Sequence, residues 1–176
     1  EDDIFYSLYA KYKGNSTSDS DEIGSQIKGV KVLWESLGTN DPTNHGDIIT
    51  KTLWHKDYIY FDLNTSGKKG NALIGAYDSE GNIVWSWHIW VTDTPAAHEY
   101  INYSSVHFGT YMDRNLGALT ATPGEAGIAG LLYQWGRKDP FLTSGDIASA
   151  TPNTVASSVL SEDMQWMVIP SSQVVG

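Results

Sequence analysis

Apolar and polar positions alternate through the first half of the chain. Ile4, Tyr6, Leu8, Ala10 and Tyr12 recur at every second residue, which is the spacing of one strand face. Val30, Val32 and Trp34 repeat the pattern, and a turn-rich break follows at 38–46. Further strands are expected at 48–54, 58–63, 72–77 and 83–91. The segment Asp78-Ser79-Glu80-Gly81-Asn82 separates the last two and has the composition of a hairpin turn. Regular strands without an intervening helix predict an antiparallel sandwich over residues 1–95. Within it, the polar run from Gly14 to Glu22 contains nothing to bury and is expected to be a mobile loop or a linker with solvated acidic side chains.

After Pro95 the period changes. Thr122-Pro123-Gly124-Glu125 is a capping-box pattern, and Ile128, Leu131, Leu132 and Trp135 recur at helical spacing up to Gly136. A helix is therefore expected over 124–135, a second short one over 156–164, and a strand at 166–169. Residues 96–176 read as a smaller α+β part. The fold class expected is mainly β, an antiparallel β-sandwich-like region followed by an α+β region.

On a strand, Ile83, Trp85, Trp87, Ile89 and Val91 share one face, and Ser86, His88 and Trp90 share the other. Trp85 and Trp87 are expected as core anchors of a central strand. That leaves Trp90 and His88, with Trp54, as candidate ligand-binding residues, and Trp34 would join them in a coplanar groove. The aromatic load of 7 Trp, 10 Tyr and 4 Phe supports strands and binding faces. A net charge of −10, from 11 Lys and Arg against 21 Asp and Glu, disfavours nucleic acid and anionic membranes as partners.

Chemistry-bearing motifs are sparse. The chain has no cysteine, hence no disulfide, thiolate zinc site or thiol nucleophile. His45, His55, His88, His98 and His107 show no paired metal-ligand spacing, so no metal and no cofactor is expected. No phosphate-binding loop or G-x-S-x-G elbow is present. Asp113-Arg114 and Arg137-Lys138-Asp139 read as structural ion pairs. No catalytic residue can be chosen among the carboxylates, and a secreted hydrolase is the least favoured class.

Two blocks carry a family resemblance. Gly70-Asn71-Ala72-Leu73-Ile74-Gly75-Ala76-Tyr77-Asp78, continuing through Gly81 to Trp90, resembles segments of surface lipoproteins and fimbrillin-type proteins of gut Bacteroidales. Tyr111-Met112-Asp113-Arg114-Asn115-Leu116-Gly117-Ala118 and the stretch from Gly130 through Tyr133, Trp135 and Asp139 to Phe141 resemble the opening half of the major paralogous (FISUMP-type) domain. The resemblance spans about residues 29–141. It implies C-type-lectin-like kinship for 96–176, export to the cell surface through a lipid anchor or pilus, and adhesion or assembly rather than chemistry. A carbohydrate-binding module with exposed aromatic platforms is the alternative. The expected partner is a protein or a glycan at the cell surface. The formylglycine-generating cysteines and the Glu-Pro-Asn and Trp-Asn-Asp elements of calcium-dependent lectins are absent. Compared with that family, the module is expected to be incomplete, its sheet completed by a lost C-terminal segment or another chain.

Overall fold

The computed structural model describes residues 6–37, 46–101, 107–125, 127–133, 135 and 138–141. The expected short helix at 156–164 and strand at 166–169 lie outside them. The described chain is mainly β and its sheets are antiparallel. Strands β1 (Tyr6–Tyr9), β3 (Ile49–His55) and β4 (Tyr58–Leu63) form one sheet in the order β1-β4-β3. Strands β2 (Gly29–Ser36), β5 (Gly70–Tyr77) and β6 (Ile83–Val91) form a second, ordered β2-β5-β6. A two-stranded ribbon, β7 (Ala97–Ile101) with β8 (His107–Met112), follows.

The two three-stranded sheets face each other across the main core. Ile49, Ile59 and Phe61 from the first, with Ala10 just past β1, meet Val30, Ala72, Ile74 and Ala76 from the second, and Trp85, Trp87, Ile89 and Val91 pack against them. The face expected for Trp85 and Trp87 is thus the core face. The expected central position is not: in the described sheet β5 is central and β6 is an edge. Both indoles are only half-buried as a result.

A bulge in β2 gives the second sheet a second buried face. Pairing jumps from Val32↔Ile74 to Trp34↔Leu73, because one extra residue in a strand leaves two neighbours on one side. Leu33 and Trp34 therefore both join Leu73 and Leu131 in a separate small cluster. The same jump turns Glu35 back toward the main core. There its buried carboxylate accepts the backbone N–H groups of Asp47 (2.9 Å), Ile48 (3.3 Å) and Ile49 (2.7 Å). Together with the bond from Thr52 Oγ1 to the Val30 carbonyl, this ties β2 to β3 and closes one side of the sandwich.

The expected helix over 124–135 is not formed. Its described residues make successive turns, and Gly124, Gly127 and Gly130 take φ of +84°, +87° and +77°. A left-handed residue at every third position cannot continue a right-handed helix. Ile128, Leu131, Leu132 and Trp135 match helical spacing only in number: Leu131 is buried, whereas Trp135 is 85% exposed. The turns instead form an irregular cover over the outer face of the second sheet. Asn71 Nδ2 donates to the Gly117 carbonyl, Trp90 Nε1 donates to that of Ala118, and Ser86 bonds Asp139. No α-helix occurs among the described residues, so the described part of 96–176 is not α+β.

The run at 14–22, expected to be mobile, is tied down. Tyr12 bridges Glu22, Lys13 N–H donates to the Asp21 carbonyl, and Ile23 N–H donates to that of Lys11. Ser16 Oγ donates to Asp21 at 2.7 Å, and Asp19–Asp21 form a single 3-10 turn.

Candidate ligand-binding cleft

The three residues expected to bind ligand do not converge. Trp90 and His88 lie under the irregular cover, with their polar atoms used inside the protein. The Trp90 indole N–H meets the Ala118 carbonyl at 3.1 Å, and His88 Nε2 meets Asn71 Oδ1 at 2.9 Å. Asn71 Nδ2 is committed to Gly117, so its Oδ1 must accept and His88 Nε2 must donate. Burial chiefly pushes the His88 pKa down to about 4, Asp139 opposes that shift and Lys138 adds to it. Trp54 sits in the other sheet, on β3, half-buried against the main core. Trp34 is fully buried, and its Nε1 has no hydrogen-bond partner among the described residues.

A polar cluster beside His88 resembles a nucleophile with its base, but its access is wrong. Ser86 Oγ donates to both carboxylate oxygens of Asp139, at 2.9 and 2.8 Å. The Lys138 ammonium bonds Asp139, the Ser86 hydroxyl and the Ser86 carbonyl. A serine nucleophile must meet a substrate carbon, and Ser86 is 2% exposed in the middle of β6. The cluster clamps cover to sheet. The Asp113-Arg114 pair is likewise structural. Arg114 reaches Asp113 through Nε (2.7 Å) and Asp93 through Nη1 (2.9 Å), and Lys69 also bonds Asp93. Lys69 and Arg114 hold the Asp93 carboxyl well below the usual carboxylate range. Among the described residues, no group of three or more His, Asp or Glu is placed to hold a metal ion.

A concave feature among the described residues lies elsewhere, on the side of the sandwich opposite the β2–β3 seam. There the edges β1 and β6 diverge, and the tied loop after β1 folds over the gap. The cleft has a volume of about 470 Å³ and is lined by Leu8, Tyr9, Tyr12, the Gly14–Thr17 turn and Trp87. Tyr9 packs against Tyr12 (centroids 6.2 Å) and Tyr58 (5.2 Å), so its ring is held while half of it faces solvent. Gly14 lies at φ +57°, where the chain turns back. The turn it starts contributes Asn15, Ser16 and Thr17 to the lining.

Sequence pattern alone missed this cleft. It placed Trp87 in the core, which is true of one part of its indole, and it treated β1 as an ordinary strand. The signal was Tyr9 and Tyr12 immediately before a polar run. That signal could not show that β1 and β6, distant in sequence, border the same opening. Comparison with protein-family models, with curated proteins and with solved structures finds no match.

Proposed function

We propose that the chain is a non-enzymatic, exported module of the cell surface that adheres by taking a glycan into the cleft between β1 and β6. The observation that carries this reading is the cleft itself, whose lining combines Tyr9, Tyr12 and Trp87 with Asn15, Ser16 and Thr17. A sugar ring offers an apolar C–H face and a rim of hydroxyls, so it suits aromatic planes combined with small polar groups. The buried carboxylates are engaged in structural bonds, Glu35 to three backbone N–H groups and Asp139 to Ser86 and Lys138. The cleft lining also holds no Asp or Glu, which makes adhesion a better reading than hydrolysis by an accessible carboxylate pair. Export and surface attachment rest on the resemblance to fimbrillin-type and FISUMP-type proteins. C-type-lectin-like kinship rests on the motifs at 111–118 and 130–141 alone and draws on no described helix.

Glycan-array screening followed by calorimetry on the wild type, Tyr9→Ala and Trp87→Ala tests the proposal. Binding by the wild type, weakened at least about tenfold by either substitution, is expected; that loss corresponds to roughly 1.4 kcal/mol. Absence of binding to every glycan would overturn the reading.

A second reading, assembly with a protein partner, is favoured by the β7–β8 ribbon. Tyr100, Tyr111 and Met112 on it are exposed, with Tyr100 and Tyr111 edge-to-face at 6.4 Å. Two-stranded ribbons are marginal alone in water and gain from a covering surface. Completion of the sheet by another chain belongs to this reading.

A further inference from the structure

We infer that the cleft selects glycans bearing a negative charge, a carboxylate or a sulfate, and that Lys13 is the residue that reads the charge. This rests on the glycan reading above and narrows its ligand class. In sequence Lys13 lies between two residues of the cleft lining, Tyr12 and Gly14, and is itself beside the lining rather than in it. Its backbone is fixed by the bond from its N–H to the Asp21 carbonyl at 3.0 Å. Its ammonium stands 5.8 Å from the centre of the Trp85 ring. Trp85 is two residues from Trp87 on the same strand face, so this charge is held at one end of the aromatic row.

Lys13 makes no ion pair with a carboxylate among the described residues, its ammonium meeting the Trp85 ring instead. Lys138 also lies over Trp85, at 4.7 Å, but its ammonium is spent on Ser86 and Asp139. Lys51, Lys68, Lys69 and Arg114 each face a carboxylate. The Asp21 carboxylate close by is engaged by the Ser16 hydroxyl, so in a chain carrying 21 Asp and Glu against 11 Lys and Arg an ammonium beside the cleft with no ion pair among the described residues is where an anionic ligand group can find its counter-charge. Contact with an indole face positions an ammonium without neutralising it, which leaves its full charge for a carboxylate or sulfate at hydrogen-bond distance. The net charge of −10 repels anions at long range, so discrimination must come from this short-range contact.

The test is calorimetry on four proteins: the wild type, Lys13→Met, Lys13→Arg and Trp87→Ala. Each is titrated with matched acidic and neutral sugars, namely sialyllactose against lactose, tri-galacturonate against its methyl ester, and a sulfated against an unsulfated chondroitin disaccharide. The wild type is expected to bind at least one acidic member about tenfold or more tightly than its neutral match. Whether that member carries a carboxylate or a sulfate identifies the group recognised. Lys13→Met should abolish the preference while leaving affinity for the neutral member unchanged, Lys13→Arg should retain it, and Trp87→Ala should weaken both members. Equal binding of acidic and neutral members, or a preference that survives Lys13→Met, overturns the inference and leaves the glycan reading standing. No binding of any sugar overturns both.

Discussion

At the scale of single residues, the buried polar groups show which contacts hold the sandwich and its cover together. Glu35 takes three backbone N–H groups at the start of β3. Losing it would orphan buried donors at about 1–3 kcal/mol each, so the carboxylate serves as a short stretch of sheet ladder. His88 is the titrating counterpart under the cover. Burial lowers its pKa to about 4 from an ordinary 6.5, and the groups facing it are Asn71, the Trp34 ring, Ser86, Lys138 and Asp139. A base with a depressed folded pKa is neutral in the native state while the unfolded chain already binds a proton. Its contribution is therefore complete above about pH 6.5 and is lost as the pH falls toward 4. The loss over that window is on the order of 3 kcal/mol. Melting temperatures of the wild type should fall from pH 7 to pH 4.5, and His88→Gln, which keeps a donor for Asn71, should flatten that slope. Parallel slopes for the two proteins would assign the acid sensitivity to other groups.

At the scale of elements, the strands of the first half were legible and the turns of the second half were not. Strands β2 to β6 follow from period-two alternation and from turn residues such as Asp78, whose Oδ1 accepts the N–H groups of Glu80 and Asn82. The bulge at Leu33 was not legible, because a register shift depends on the partner strand. Here the partners across the bulge are Ile74 and Leu73, and the Leu33 side chain lies over Gly75, where a Cβ would come within 2.8 Å of it. At 122–135 the capping-box letters and the helical period agreed with each other, yet three glycines at left-handed φ prevailed. The hydroxyl that organises this turn is Thr120, not Thr122. Thr120 Oγ1 donates to Glu125 at 2.8 Å and accepts the N–H of Thr122 at 3.1 Å. Thr122→Ala should then change stability by less than about 0.5 kcal/mol, the scale of an uninvolved surface substitution. Thr120→Ala, which removes two bonds, should cost about 1 kcal/mol. Urea denaturation of both variants checks this, and a larger loss from Thr122→Ala would restore the helix-cap reading.

At the scale of the whole molecule, the β2-β5-β6 sheet is the centre of a layered arrangement, with the other sheet on one face and the irregular cover on the other. The layers are unequal. The main core joins many apolar residues from both sheets, whereas the cover contributes Leu131 to a cluster of Leu33, Trp34 and Leu73. With so little apolar contact, the cover depends on its polar clamps, among them the bifurcated bond from the Ser86 hydroxyl to the Asp139 carboxylate. A hydrogen bond to a buried charged group contributes about 1.5–3 kcal/mol, enough to set the opening equilibrium of a weakly packed layer. Regions held mainly by such contacts open as units of their own, below the free energy of global unfolding. Ser86→Ala should therefore speed amide exchange within the cover by roughly 10- to 100-fold. The reporters there are Leu119, whose N–H bonds Gly127, and Leu131, whose N–H bonds Leu116. The amides of Ile74 and Ala76, in the central strand between β2 and β6, should keep their protection. Native-state hydrogen exchange on the two proteins separates the cases. If the central-strand amides accelerate as much as those of the cover, then cover and sandwich unfold together and the clamp belongs to one cooperative unit.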